Sequence, residues 1–251
     1  MRPNLAEVAA EQHGVFTWQQ ALTAYTRTEI HTRLRRGDWT RVFRGVFREA
    51  STPRTALLLL DAARLSTGAR SVAACRDTAA QLHGFAVIDD PNVHVLASDA
   101  RMTRRSGLIV HRDQVSDGDL VVVRGALGTH AARTAIDLAR TYNRLDALAV
   151  LDLALRRGTT REQLLVELEH HTGKRGVRQA KELVQYASPL AESPMESRTR
   201  MRCIDAGLPH PEPQVLVSAN GAVQTRSRVE KVEDRPRLRE PRMAYRCYGS
   251  K

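Results

Sequence analysis

Thr26-Arg27-Thr28-Glu29-Ile30-His31-Thr32-Arg33-Leu34-Arg35-Arg36-Gly37-Asp38-Trp39-Thr40-Arg41-Val42-Phe43-Arg44-Gly45-Val46-Phe47 decides how the first part of the chain folds. Thr26 with Glu29 three residues later is a capping box, the signature of a helix start. Ile30 and Leu34 lie four apart and point inward, which puts Arg27, Thr28, His31, Thr32 and Arg35 on the opposite side. Gly37 is placed to end the helix. Trp39, Val42, Phe43, Val46 and Phe47 then make an apolar, aromatic pair of strands that folds at Arg44-Gly45 and carries arginines at 41, 44 and 48.

Upstream, Asn4 with Glu7 predicts a capped first helix carrying Leu5, Val8, Ala9 and Gln12, closed by Gly14. Thr17 with Gln20 predicts a second capping box for a short helix through Ala21, Leu22 and Tyr25. Three helices and a hairpin within fifty residues follow the winged helix-turn-helix order, in which the third helix enters the major groove of duplex DNA. The expected DNA-contacting set is therefore Arg27, Thr28, His31, Thr32, Arg35 and Arg36 on the helix and Arg41, Arg44 and Arg48 on the wing. The bland alternative is a small helical domain with a solvated basic face.

Gly14-Val15-Phe16-Thr17, Leu34-Arg35-Arg36-Gly37-Asp38-Trp39 and Val42-Phe43-Arg44-Gly45-Val46-Phe47-Arg48 resemble the N-terminal winged helix of the AbiEi antitoxin family. The resemblance implies a domain that binds and represses the promoter of its own toxin-antitoxin operon. Its strongest part covers about a fifth of the chain.

Charge agrees with that expectation. Net charge is +11 with a pI near 10.4, mostly from arginine, which favours a polyanionic partner such as DNA or RNA. Aromatic residues are 4% of the chain, too few for a base-stacking surface against single strands. Cys75, Cys203 and Cys247 are odd in number and lack a Cys-x-x-Cys pair, which argues against a disulfide framework or a zinc site and fits a reducing cytoplasm. There is no signal-peptide pattern, and the longest apolar run, 56–60, is too short to span a bilayer. A cytoplasmic protein with no membrane partner is expected.

Beyond a boundary at Ser51-Thr52-Pro53, segments 55–65 and 71–83 read as helices ended by Gly68 and Gly84. Short β-branched runs at 92–97, 107–111 and 119–123 read as strands, and helices return at 131–140, 145–156, 160–170 and 176–186. The sum over 55–187 is an α+β domain around a small sheet. Thr78-Ala79-Ala80-Gln81-Leu82-His83-Gly84, His111-Arg112, the 119–124 strand and Ala132-Arg133-Thr134-Ala135-Ile136-Asp137-Leu138-Ala139 resemble the second domain of the same family. The resemblance makes this half toxin-facing or scaffold, the toxin being nucleotidyltransferase-like and neutralised without stable contact.

Among candidate chemical groups, His94, His111, His130, His170 and His171 do not follow the two-histidine helical spacing of a metalloprotease, so packed or surface histidines are expected. Asp137 is expected to pair with Arg133, Arg140 or a backbone donor. No phosphate-cradling Gly-x-x-x-x-Gly-Lys-Ser/Thr loop occurs, so neither cofactor nor metal is expected. Lys174, Arg175, Arg178 and Lys181 form a basic cluster, read as a solvated face or as further DNA-backbone contacts.

The stretch 188–217 has a second landmark, with Ser193 as cap, Pro194 at the first helical position and Glu196 as the capping-box acid. Ser-Pro-x-Glu-Ser-x-x-Arg followed by Ala206-Gly207-Leu208-Pro209 and a strand at 213–217 resembles the opening of a very-short-patch-repair endonuclease of the PD-(D/E)xK class. The resemblance implies that Glu196 is the first of several metal-holding acids, but the strand acids that should follow are missing. Residues 218–251 carry nine basic and four acidic residues with few large apolar ones, which predicts a basic, disordered tail. Such composition is also what an out-of-frame reading of a GC-rich gene yields, and translating the other two frames beyond codon 217 tests that.

The fold class expected is thus α+β: a winged helix-turn-helix at 1–50, a mixed α+β domain at 55–187, and an incomplete nuclease-like segment. The leading function is a DNA-binding regulator. The rivals are a metal-dependent endonuclease, inactive here for want of strand acids, and a module that only docks a toxin.

Overall fold

Thr26 opens its helix as the sequence predicts: its Oγ1 accepts from the Glu29 amide at 3.3 Å, and Glu29 Oε2 accepts from the Thr26 amide at 2.8 Å. The computed structural model describes residues 1–97, 104–209, 211, 216–219 and 222–225. The N-terminal elements are α1 (Pro3–Glu11), β1 (Val15–Thr17), α2 (Trp18–Leu22), α3 (Arg27–Arg36), β2 (Trp39–Phe43) and β3 (Val46–Glu49). The three strands pair antiparallel in the order β1-β3-β2. This is winged helix-turn-helix topology.

Two details differ from the sequence reading. Asn4 does not cap α1, because Pro3, whose fixed φ and missing donor suit the first helical position, starts the helix two residues earlier behind Arg2. Val15-Phe16-Thr17 is a strand, opposite Arg48, Phe47 and Val46. Trp39 lies at the centre of this core, in edge contact with Phe16 at 4.7 Å and Tyr25 at 5.1 Å between ring centroids.

The next elements are α4 (Ala56–Thr67), β4 (Ala73–Ala74), α5 (Arg76–His83), β5 (Val93–Leu96), β6 (Leu108–His111), a 3-10 turn (Asp117–Asp119), β7 (Leu120–Val123) and β8 (Ala126–Thr129). They build a mixed five-stranded sheet in the order β6-β5-β4-β8-β7. The single helix expected over 71–83 is a strand followed by α5, since Ala73 and Ala74 sit between β5 and β8 and their small side chains fit the middle of the sheet. Pro53 marks a change of element but not a break in packing. Leu58, Ala62 and Ala63 of α4 share one core with Val15, Phe43 and Val46 of the wing sheet and with Val93, Val95 and Leu108 of the larger sheet.

The remaining helices are α6 (Ala131–Thr141), α7 (Arg144–Arg156), α8 (Arg161–His170), α9 (Val177–Tyr186) and α10 (Pro194–Asp205). Their apolar faces meet around Ile136, Leu148, Leu151, Leu164 and Leu183. Met201 of α10 lies in that same core, and buried Arg200 bonds Asp152 of α7 at 2.6 Å. The boundary expected at 187/188 therefore does not coincide with a break in the helical layer. β9 (Leu216–Ala219) and β10 (Ala222–Thr225) form a hairpin that crosses the boundary expected at 217/218, so a second strand exists where none was expected. The basic tail from 226 onward lies outside the described residues.

Candidate nucleic-acid interface

The α3 period sorts its side chains. Ile30 is fully buried and Leu34 half-buried, while Arg27, Thr28, His31, Arg35 and Arg36 are exposed and Thr32 is half-buried with its hydroxyl donating to the Thr28 carbonyl at 2.9 Å. Residues 27, 31 and 35 follow one row along the helix and 28, 32 and 36 the next, so the six make one continuous outer face. Arg27, Arg35 and Arg36 form no ion pair or side-chain hydrogen bond with any described residue. Gly37, at φ 77°, takes the left-handed conformation that ends the helix and turns the chain into the wing.

The helix arginine absent from the expected set has a different role. Arg33 falls on the inner side with Ile30 and stacks its guanidinium over Tyr25 at 4.8 Å and Trp39 at 5.5 Å. The i+3 spacing from Ile30 was the signal for it. His31 lies beside Trp18, 5.2 Å between centroids, and so holds a fixed place on the outer face.

On the wing, Arg41 and Arg44 are exposed, Arg41 lying 6.0 Å from the Phe47 ring centre and Arg44 standing at the tip beside Gly45. Arg48 is not available in the same way. Its Nη1 donates to the carbonyls of Glu49, Ala50 and Thr52 at 2.9, 2.9 and 2.6 Å, which clamps the exit of β3.

A second basic surface lies at the far helices. Arg76, Arg140, Lys174 and Arg175 with Asp113, Thr141 and Gly176 line an open cleft of about 730 Å³, and Arg178 and Lys181 are exposed further along α9. Gly176 (φ 80°) is required there, since a Cβ would lie 2.0 Å from the Arg140 carbonyl oxygen.

Behind that cleft runs a buried charge network. Asp137 accepts from Arg140 Nη2 at 2.9 Å and His171 Nε2 at 3.1 Å, with Arg133 Nε at 3.7 Å, which bears out its pairing with both arginines and adds the histidine. Burial pushes the Asp137 carboxyl up, but hydrogen bonds from His171 and Arg140 outweigh it and hold it well below the usual range. Arg133 Nη1 reaches Asp119 at 3.0 Å. His171, fully buried, has Nδ1 2.9 Å from the Glu167 carbonyl and Nε2 on Asp137, so both nitrogens face acceptors and the ring is an imidazolium. Burial lowers its pKa, yet the bonds to Asp137 and Glu167 raise it to about 9. Burial likewise raises Glu167, and bonds to His130 and His171 bring it down to about 2.

Among the described residues two groups combine carboxylates and histidine closely enough to hold a metal ion: Asp119, His130 and Glu167, and Asp77, Asp90 and His94. Sequence spacing concealed both, because each draws its members from separate elements. The first group is balanced in charge from within: His171 Nδ1 lies 3.1 Å from Glu167 Oε1 as an ion pair, although that oxygen accepts no hydrogen bond. His130 Nδ1 accepts the Arg133 amide at 3.2 Å as the cap of α6, which places its proton on Nε2, 3.3 Å from Glu167 Oε2. That nitrogen is a donor and has no lone pair for a metal, and Arg133 and His171 already balance the acids.

Glu196 belongs to neither group. Ser193 Oγ accepts its amide at 3.2 Å, and its own Oε2 accepts the Glu192 amide at 2.9 Å, one residue before the cap where the capping box would place it. It works here as a helix-start acid.

Comparison with known families gives two matches. Residues 4–50 match the family described as "Transcriptional regulator, AbiEi antitoxin", and residues 72–186 match the "AbiEi antitoxin C-terminal domain". Two Mycobacterium tuberculosis proteins, described as uncharacterized proteins MT2308 and Rv2248, are each 37% identical over 197 residues, which span 78% of this chain and 71% of theirs. No helix among the described residues is long and apolar enough to cross a membrane.

Proposed function

The chain belongs to the AbiEi antitoxin family, and we propose that it binds double-stranded operator DNA through its winged helix and so regulates its own promoter. The observation that carries this reading is the row of exposed arginines on α3 without acidic partners among the described residues, above a fully buried Ile30. An unpaired guanidinium on an exposed helix is already free to bond guanine edges or phosphate, so binding breaks no internal ion pair. Arg27, Thr28, His31, Thr32, Arg35 and Arg36 read the major groove, and Arg41 and Arg44 hold phosphates. Arg48 positions the wing by its backbone bonds and leaves the contact set.

The family associates such chains with DNA and toxins in general. A nucleotidyltransferase-like toxin neutralised without stable contact is the specific partner we assign to the domain matched at 72–186. The endonuclease reading has no supporting observation, since Glu196 caps a helix and stands outside both metal-capable groups.

The test is fluorescence anisotropy of the full chain against a duplex from its own upstream region and a scrambled duplex. Tighter binding to the upstream duplex by tenfold or more is expected; equal binding to both contradicts an operator function. Deletion of residues 1–50 is a poor control because it uncovers the face of α4 that packs on Val15, Phe43 and Val46. Incubation with supercoiled plasmid and magnesium should leave the plasmid uncut, and nicking would restore the nuclease reading.

A further inference from the structure

Asp77 in the first turn of α5, Asp90 in the loop before β5, and His94 within β5 converge, each offering one ligand atom, and these atoms lie within 4.8 Å of one another. His94 Nε2 is 3.0 Å from Asp90 Oδ2 and 3.9 Å from Asp77 Oδ2. Ligands about 2.0–2.2 Å from a tetrahedral zinc-sized ion stand about 3.3–3.6 Å apart, so a small adjustment brings these three to the spacing one ion imposes.

Each ligand is held from behind. Asp90 Oδ1 accepts the Asn92 amide at 2.7 Å and its Nδ2 at 2.8 Å, the Tyr142 hydroxyl donates to Asp77 Oδ1, and His94 Nδ1 meets His111 Nε2 at 2.9 Å. Outer partners of this kind orient metal ligands and fix the imidazole tautomer. With Asp90 Oδ2 3.0 Å away, Nε2 carries the proton in the ion-free protein; an ion displaces it, and Nδ1 can then carry the proton and donate to His111 Nε2, leaving the Nε2 lone pair to the ion. His130 lacks that freedom.

The remaining oxygen supplies an independent sign. The Asp77 side chain is 7% exposed, and its Oδ2 accepts no hydrogen bond from any described residue while facing His94 Nε2. A carboxylate so far removed from water, with the Tyr142 hydroxyl on its other oxygen, is costly to keep ionised, and a cation relieves that cost. Among the described residues neither Asp77 nor Asp90 has an arginine or lysine partner; their ion pairs are with His94 alone. In the Asp119 group, by contrast, Arg133 and His171 are built in.

We propose that Asp77, Asp90 and His94 bind one divalent first-row transition ion of the zinc or manganese class, solvent completing its coordination on the side of the more exposed Asp90. One imidazole among carboxylates favours such ions over calcium or magnesium. The ion joins α5, the loop before β5 and β5 itself, with Tyr142 of the α6–α7 turn and His111 of β6 behind it. The site is remote in sequence from the winged helix and is independent of the operator reading.

The test uses the full chain, stripped with chelator and titrated with zinc chloride by calorimetry, beside Asp90→Asn and His94→Gln. Saturable binding of one zinc per chain is expected, weakened tenfold or more by D90N and lost in H94Q, with a zinc-dependent rise in Tm for the wild type alone. D90N alters a partly exposed side chain whose amide oxygen still accepts from Asn92, and circular dichroism checks that it is folded. Absence of saturable binding at millimolar zinc, or equal stoichiometry and affinity in wild type and D90N, overturns the proposal.

Discussion

Arg27, Arg35 and Arg36 on α3 and Arg133 and Arg140 on α6 are the same side chain placed in opposite circumstances. The first three face solvent with no acidic partner among the described residues, while the side chains of the other two are 8% exposed or less and bonded to Asp119 and Asp137, Arg140 at the wall of the basic cleft. The difference shows that net positive charge assigns no role until pairing is known. A guanidinium closed on a carboxylate within the fold contributes little field outside it, whereas an open one is ready for a phosphate. The two regions should therefore respond to mutation in different observables, stability for α6 and affinity for α3.

The sharpest way to break this contrast is Arg133→Ala. It leaves Asp119 and Asp137 buried with fewer partners and should cost about 3–5 kcal/mol of stability in urea unfolding, with duplex affinity unchanged in the folded fraction. An equal loss of affinity would mean that the two regions are not separate.

Arg35→Ala should do the reverse, weakening binding by about 1–3 kcal/mol and relaxing preference at one base position, while the unfolding midpoint stays put. Competition with duplexes carrying single substitutions measures it. Arg44→Ala should weaken all duplexes alike and reduce the slope of log affinity against log salt by about one.

The buried side of the comparison also predicts a pH profile. His171, raised from 6.5 to about 9 in the fold, stabilises fully below pH 6.5, and that contribution fades as pH rises through 9. Glu167, lowered from 4.5 to about 2, stabilises fully above pH 4.5, and its contribution fades as pH falls through 2. Thermal unfolding should accordingly give its highest Tm between these limits, and His171→Gln should flatten the alkaline arm. The smallest effect is expected of Arg48→Ala, which loosens the wing exit by about 1 kcal/mol and leaves the salt slope alone.

Much of this was legible in the chain itself because caps and periods are local. Thr17-Gln20 and Thr26-Glu29 close the two boxes they predict, and the Ile30-Leu34 spacing alone divides α3 into an inner and an outer side. Strands β1, β4 and β8 were not legible: Val15–Thr17 and Ala73–Ala74 are too short to show alternation, and Ala126–Thr129 has one β-branched residue, so pairing with distant partners makes them strands. The same limit hid the polar groups. Asp137 finds Arg133 and Arg140 one helical turn away, which spacing reveals, but His171 comes from beyond α8, and Asp77, Asp90 and His94 come from a helix, a loop and a strand. Arg48 reads as a wing arginine because its partners are main-chain carbonyls, to which side-chain patterns are blind.

The account depends most on the open arginines of α3 and the wing, and the salt dependence of duplex binding by the full chain tests it directly. A triple variant, Arg27→Ala, Arg35→Ala and Arg44→Ala, should unfold like the wild type, lose about a hundredfold or more in affinity, and show a salt slope shallower by about two to three. Unchanged affinity and slope in that folded variant would place the DNA surface elsewhere and contradict the account.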